Sequence, residues 1–116
     1  MIGSTRAVSV WACATPVDMR WSFDRLYSTV VNDLGKQPLS GDMFVFVARS
    51  RKRAKVLFWD GTGLCIFQKR LEKGRFFAPW RTPNAATLKM SMTELSLFLE
   101  GSELEGRLPL TPSAYA

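Results

Sequence analysis

The sequence predicts an α+β fold: a mainly antiparallel sheet of about five strands, one long N-terminal helix near residues 19–34 and one short C-terminal helix near 92–100. Three observations carry this expectation. Apolar residues recur at spacings of three and four over 19–34, the period of a helix with one buried face. Short β-branched and aromatic runs punctuated by turn residues fill 43–78. Ser91-Met92-Thr93-Glu94 has the spacing of a capping box ahead of Leu95, Phe98 and Leu99.

Residues 8–12 read as the first strand. Arg6 before them and Ala12-Cys13-Ala14 at their end imitate a secretory leader with an A-x-A site, but the apolar core is too short and Ser9 interrupts it. Thr15-Pro16-Val17-Asp18 then breaks the strand and offers Asp18 as a helix N-cap. Met19, Phe23, Leu26, Tyr27, Val30 and Leu34 supply the helix with its apolar face, and Gly35 stands where a C-cap belongs. Gln37-Pro38-Leu39-Ser40-Gly41 is a connecting loop.

Strands are expected over 43–48, 54–59, 64–71 and 76–78, as an antiparallel meander. The clearest turn is Asp60-Gly61-Thr62-Gly63, whose glycines allow the positive φ angles of a tight hairpin. Pairing across it puts Val56, Phe58, Cys65 and Phe67 on one face and Leu57, Trp59, Leu64 and Ile66 on the other. Both faces are apolar, so both need covering, and the short helix, ended by Gly101, leaves its face partly bare. Residues 1–105 are expected to form one domain and 106–116 a loosely held tail.

With 116 residues, 47% of them hydrophobic, the chain suits one core and not two. It has no histidine, which excludes Ser-His-Asp and Cys-His catalysis, the usual zinc sites and a histidine pH switch. Cys13 and Cys65 lie far apart within apolar runs, a pattern of free thiols in a reducing, cytoplasmic setting. No apolar stretch is long enough to cross a bilayer, and neither a metal nor a cofactor is expected. Sixteen Lys and Arg against ten Asp and Glu leave a charge of +6, which favours an anionic partner.

Three blocks are distinctive: Pro16-Val17-Asp18-Met19-Arg20 with Phe23-Asp24, Ser40-Gly41-Asp42-Met43-Phe44-Val45-Phe46, and Phe58-Trp59-Asp60-Gly61-Thr62-Gly63-Leu64-Cys65 continuing through Lys69-Arg70-Leu71-Glu72-Lys73-Gly74-Arg75-Phe76. Together, over residues 6–105, they resemble the accessory protein, often called transposase B, of bacterial insertion sequences of the insertion sequence sixty-six family. The resemblance implies a small protein encoded beside a separate, larger transposase of the acidic-triad type and needed for mobility of the element. Its partners would then be DNA and that transposase.

The densest charge feature is Arg49-Ser50-Arg51-Lys52-Arg53-Ala54-Lys55, five cations in seven residues at a turn between two strands. Such a turn either guards strand edges as a solvated loop or contacts phosphates. Mutual repulsion among five like charges favours an anionic partner. Lys69, Arg70, Lys73 and Arg75 form a second group around the next turn but one, which a simple meander places at the same end of the sheet. The expected nucleic-acid-binding set is therefore Arg49, Arg51, Lys52, Arg53, Lys55, Lys69, Arg70, Lys73 and Arg75. Neutralising about four phosphates would give a log-log salt slope near −3.6.

Of the four tryptophans, Trp59 is expected to be packed in a strand face, and Trp21 and Trp80, beside Arg20 and Arg81, to be partly exposed; with Trp11 they suit base stacking or a protein interface. Asp18, Asp24, Asp42, Asp60 and Glu72 each have a local structural role to explain them, and no catalytic residue is expected. The expected function is a non-catalytic accessory role in DNA transposition, with binding to the DNA backbone. The alternative is an adaptor that docks onto the transposase, or onto a second copy of itself, through the incompletely covered sheet face.

Overall fold

The computed structural model describes residues 7–101. Five strands, β1 (Val10–Cys13), β2 (Met43–Val47), β3 (Arg53–Trp59), β4 (Leu64–Arg70) and β5 (Thr87–Met90), form one sheet in the order β4-β3-β2-β1-β5. Two helices, α1 (Phe23–Asn32) and α2 (Met92–Leu99), flank it, with short 3-10 turns at Pro38–Ser40 and Pro79–Arg81. The expected tail, 106–116, lies outside the described residues.

The β2-β3-β4 portion is the expected meander. Val56 pairs with Phe67 and Phe58 with Cys65 on one face, and Leu57 with Ile66 and Trp59 with Leu64 on the other. Asp60 fixes the turn between β3 and β4: its Oδ1 accepts the N–H groups of Thr62 and Gly63, each at 2.9 Å, and Gly61 takes a φ of +105°. Glycine is needed at that angle because a Cβ would meet the neighbouring backbone.

Three expectations are corrected. The sheet is mixed, not mainly antiparallel. β1 lies inside it, parallel to β2 (Val10 beside Met43, Ala12 beside Val45) and antiparallel to β5 (Val10 beside Met90, Cys13 beside Thr87). The physical reason is the β1-α1-β2 connection: a strand that returns through a helix packed on one face comes back parallel to where it began. Burial of Val10, Ala12 and Cys13, which point to both faces of the sheet, fits an interior strand.

The first helix is also shorter than the expected 19–34, with ten residues. Asp18 does not cap it. Its carboxylate accepts the Arg20 N–H at 2.8 Å while its carbonyl accepts the Trp21 N–H at 3.0 Å, which commits residues 18–21 to a turn. The N-cap position is Ser22, whose side chain makes no capping hydrogen bond. At the far end Gly35, with φ of +65°, lets the Lys36 N–H return to the Val30 carbonyl at 3.0 Å.

The third correction concerns 76–78, which is not a strand. Phe76, Phe77 and Ala78 are consecutively buried rather than alternating, with the Phe76 ring stacked on Phe98 at 5.2 Å. The remaining strand is β5, which joins the sheet beyond β1.

Two cores result. On one face Leu26 and Val30 of α1 pack on Phe44, Phe46 and Leu57. On the other, Leu95 and Phe98 of α2, with Phe76 and Phe77, cover Val10, Ala12, Val45, Val47 and Val56. Each large apolar side chain so buried contributes about 1.5–3 kcal/mol before entropy costs. The capping box of α2 is complete: Ser91 Oγ accepts the Glu94 N–H at 3.1 Å and Glu94 Oε1 accepts the Ser91 N–H at 2.7 Å. After α2 the chain turns at Gly101, where φ is +71° and an added Cβ would sit 2.5 Å from Leu71 Cδ1.

Candidate nucleic-acid interface

The two basic turns lie at one end of the sheet and are tied together by backbone. Lys52 and Arg51 carbonyls accept the N–H groups of Leu71 at 2.8 Å and Phe76 at 2.7 Å, and Arg51 Nε donates to the Phe76 carbonyl at 2.9 Å. Arg51 holds a φ of +65°, unusual for a residue with a Cβ, and its own N–H donates to the Ala48 carbonyl at 2.8 Å. The tip is thus a fixed platform. At its mouth Arg53 stands directly opposite Arg70, the last pair of the β3–β4 ladder.

Arg49, Arg53, Arg70, Lys73 and Arg75 are exposed there, and Arg51 and Lys52 are half-buried. Segments 49–53 and 70–75 carry these seven cations and one carboxylate, Glu72, which sits 3.1 Å from Arg70 Nε; from outside them Asp18, paired with Arg20, borders Arg49. Like charges directly opposite on paired strands destabilise a sheet. An anion at this end removes that repulsion.

Two residues of the expected set do not join it. Lys55 is 7% exposed, points to the α1 face, and its Nζ donates to the Trp21 carbonyl at 2.6 Å. Lys69 points to the opposite face, where its Nζ donates to the Leu99 carbonyl at 2.7 Å and so satisfies a helix-end acceptor in line with the dipole of α2. Both lie within strands rather than at turns, a distinction the strand boundaries already carry.

One neighbour was missed. A parallel bridge between Val17 and Ala48 brings residues 16–18 beside Arg49, so the exposed Arg20 stands close to the basic end. Its guanidinium pairs with Asp18, Nη2 to Oδ2 at 2.7 Å. The approach of residues 16–18 to Arg49 was hidden because the Val17–Ala48 bridge continues the parallel pairing of β1 with β2.

All four tryptophans are half-buried, including Trp59, expected to be packed. Arg25 lies 4.1 Å from the Trp21 ring centroid and Lys36 Nζ 3.7 Å from that of Trp11, so a ring face of each already carries a cation.

The carboxylates are locally engaged. Hydrogen bonds from the Arg20 side chain and backbone hold the Asp18 carboxyl down at about 2, and the Thr62 and Gly63 N–H groups hold Asp60 at about 2. Burial, reinforced by Asp60, pushes the Cys65 thiol up. Asp42 accepts from the Ser9 N–H and from Trp11 Nε1. Among the described residues no three of Cys, Asp and Glu converge on a point where a metal ion would bind.

A second feature lies on the α2 face. Met43, Val56, Phe58 and Phe67 of the sheet and Met92, Leu95 and Leu99 of α2 line an open apolar hollow of about 310 Å³. Phe67 is 47% and Met92 46% exposed beside it. Segment 71–80 and α2 cover one part of this face and leave this corner bare.

The family model described as IS66 Orf2 like protein matches residues 8–108. Two uncharacterized proteins of Sinorhizobium fredii (strain NBRC 101917 / NGR234) are similar: y4hO, 39% identical over 101 residues, covering 87% of this chain and 86% of that protein, and y4jC, 37% identical over 101 residues, covering 87% and 85%. No solved structure matches. The chain belongs to the IS66 Orf2-like family, a family of accessory proteins of insertion-sequence transposition.

Proposed function

We propose that this IS66 Orf2-like protein serves transposition by binding the DNA backbone through the basic end of its sheet, with no chemistry of its own. The observation that supports the reading most is the convergence of two basic turns on one rigid platform, with Arg53 opposite Arg70. Phosphate oxygens relieve that repulsion, and contacts of this kind position a protein without reading sequence. The cations stand on turns between strands rather than along a helix that could lie in a groove, so little sequence preference is expected.

The test is anisotropy titration of a mixed-sequence duplex at several salt concentrations. About four phosphate contacts give a log-log slope near −3.6. Replacing Arg53, Lys73 and Arg75 together by Ala should weaken binding and flatten the slope by about 2.7 while keeping the fold, since all three residues are exposed. Arg51 is left intact because it holds Phe76. Equal binding by the triple variant, or no binding by the parent at low salt, overturns the reading.

A second reading, an adaptor docking onto the element's transposase, is favoured by the apolar hollow between α2 and the β3–β4 hairpin. Exposed apolar surface of this kind suits a protein partner. Co-purification of the tagged protein with the transposase, with and without DNA, tests it. Loss of co-purification on nuclease treatment removes it.

A further inference from the structure

We propose that β4 is a self-association edge, and that two copies pair their β4 strands antiparallel about a dyad at Phe67, joining two five-stranded sheets into one. Among the described residues β4 has a neighbour on one side only, β3. Its first five residues, Leu64-Cys65-Ile66-Phe67-Gln68, contain no charge, glycine or proline, and its only edge guards are Lys69 and Arg70. An edge so bare is a template for another strand.

The hydrogen-bond parity of the hairpin says which groups are on offer. Asp60 donates to Gly63 at one end of the ladder and Leu71 to Lys52 at the other. Counting in twos between them, Cys65, Phe67 and Lys69 direct their backbone groups to β3, and Leu64, Ile66, Gln68 and Arg70 direct theirs outward.

Charge selects the direction. Parallel self-pairing would set Lys69 and Arg70 beside their own copies. Antiparallel pairing carries this basic end toward the other molecule's Asp60 turn. Parity and exposure then select the register. Outward-facing residues must meet, which a dyad at Phe67 achieves by setting Ile66 opposite the partner's Gln68 and Leu64 opposite the partner's Arg70. The two Phe67 residues become a non-hydrogen-bonded pair with Cα atoms about 4.5 Å apart, the closest side-chain approach an antiparallel ladder provides. A dyad at Gln68 would instead set Phe67 against the partner's Lys69. Pairing about Phe67 covers the 47%-exposed ring with its own copy, and leaves the two basic ends well separated on one continuous sheet.

Sedimentation of the full chain without DNA, in high salt, tests this independently of the DNA reading. The parent should sediment at twice its 13.1 kDa chain mass. Gln68→Pro removes an outward N–H and no bond to β3, so it should give a 13.1 kDa species with an unchanged circular dichroism spectrum. Phe67→Lys, at a side chain already exposed, should do the same and decides the matter if the proline variant does not fold. Phe67→Cys combined with Cys65→Ser should oxidise to a covalent dimer, since a Cα separation of about 4.5 Å suits a disulfide. A parent of single mass at its highest soluble concentration, a dimer that survives Phe67→Lys, or failure of the cysteine pair to cross-link would overturn the proposal.

Discussion

Lys55 Nζ stands 2.6 Å from the Trp21 carbonyl, and the residue that carries it is 7% exposed. Lys55→Ala deletes a charged hydrogen bond and strands a carbonyl, so it should lower stability by about 1.5–3 kcal/mol in urea unfolding. Arg53→Ala, two residues away and exposed, should change stability by no more than about 0.5 kcal/mol. Equal effects would mean that the lysine does not hold the α1 entry. Asp60 offers a pH test of the hairpin. Its folded-state value of about 2 lies below the ordinary 3.8, so its contribution is present above pH 3.8 and is lost as pH falls through about 2, where the folded carboxylate takes up the proton. The urea midpoint of the parent should exceed that of Asp60→Asn at pH 6, and the gap should close near pH 2. A gap of the same size at both would show that the turn does not depend on the ionised carboxylate.

At the scale of elements, the most secure are those specified by their own residues. The capping box over 91–94 is fully formed, and Ser91→Ala should cost about 1 kcal/mol, lowering the melting temperature by about 4–8 °C. No shift would mean that the box is not what starts α2. The Asp60-Gly61-Thr62-Gly63 turn is equally local, and with it the two faces of β3 and β4 were legible. β1 was harder because a buried strand of four residues does not name its neighbours; its place between β2 and β5 follows from pairings some 33 and 80 residues along the chain. Asp18 misled for a related reason: an Asp ahead of an apolar period fits an N-cap and an Asx turn alike, and Arg20 decided for the turn. In the basic set the turns were legible, whereas Lys55 and Lys69 needed tertiary partners, Trp21 and Leu99, before their charges turned inward.

At the scale of the whole molecule the Met92 and Phe58 rim of the apolar hollow lies away from the basic turns, while the hollow itself runs along α2 to Leu99, whose carbonyl accepts from Lys69 Nζ. Phe58, in the apolar hollow, is five residues along β3 from Arg53 at the basic end, about 17 Å in an extended strand. Met92 follows Met90, which lies across Val10 and Met43 from Phe58 at this far end, so a substitution there should act independently of one at Arg53. Met92→Glu places a charge on the exposed rim of the hollow, and at the first turn of α2 a carboxylate agrees with the helix dipole, so the fold should be kept. That variant should lose co-purification with the transposase while keeping the parent's salt slope on DNA. The Arg53, Lys73, Arg75 triple alanine variant should do the reverse. Combining all four changes should lower DNA affinity by the same factor as the triple variant alone, within about 0.5 kcal/mol. A Met92→Glu protein that has also lost DNA binding would join the hollow and the basic end into one surface, since a mainly electrostatic interface at the far end of β3 has no other reason to sense the rim of an apolar one.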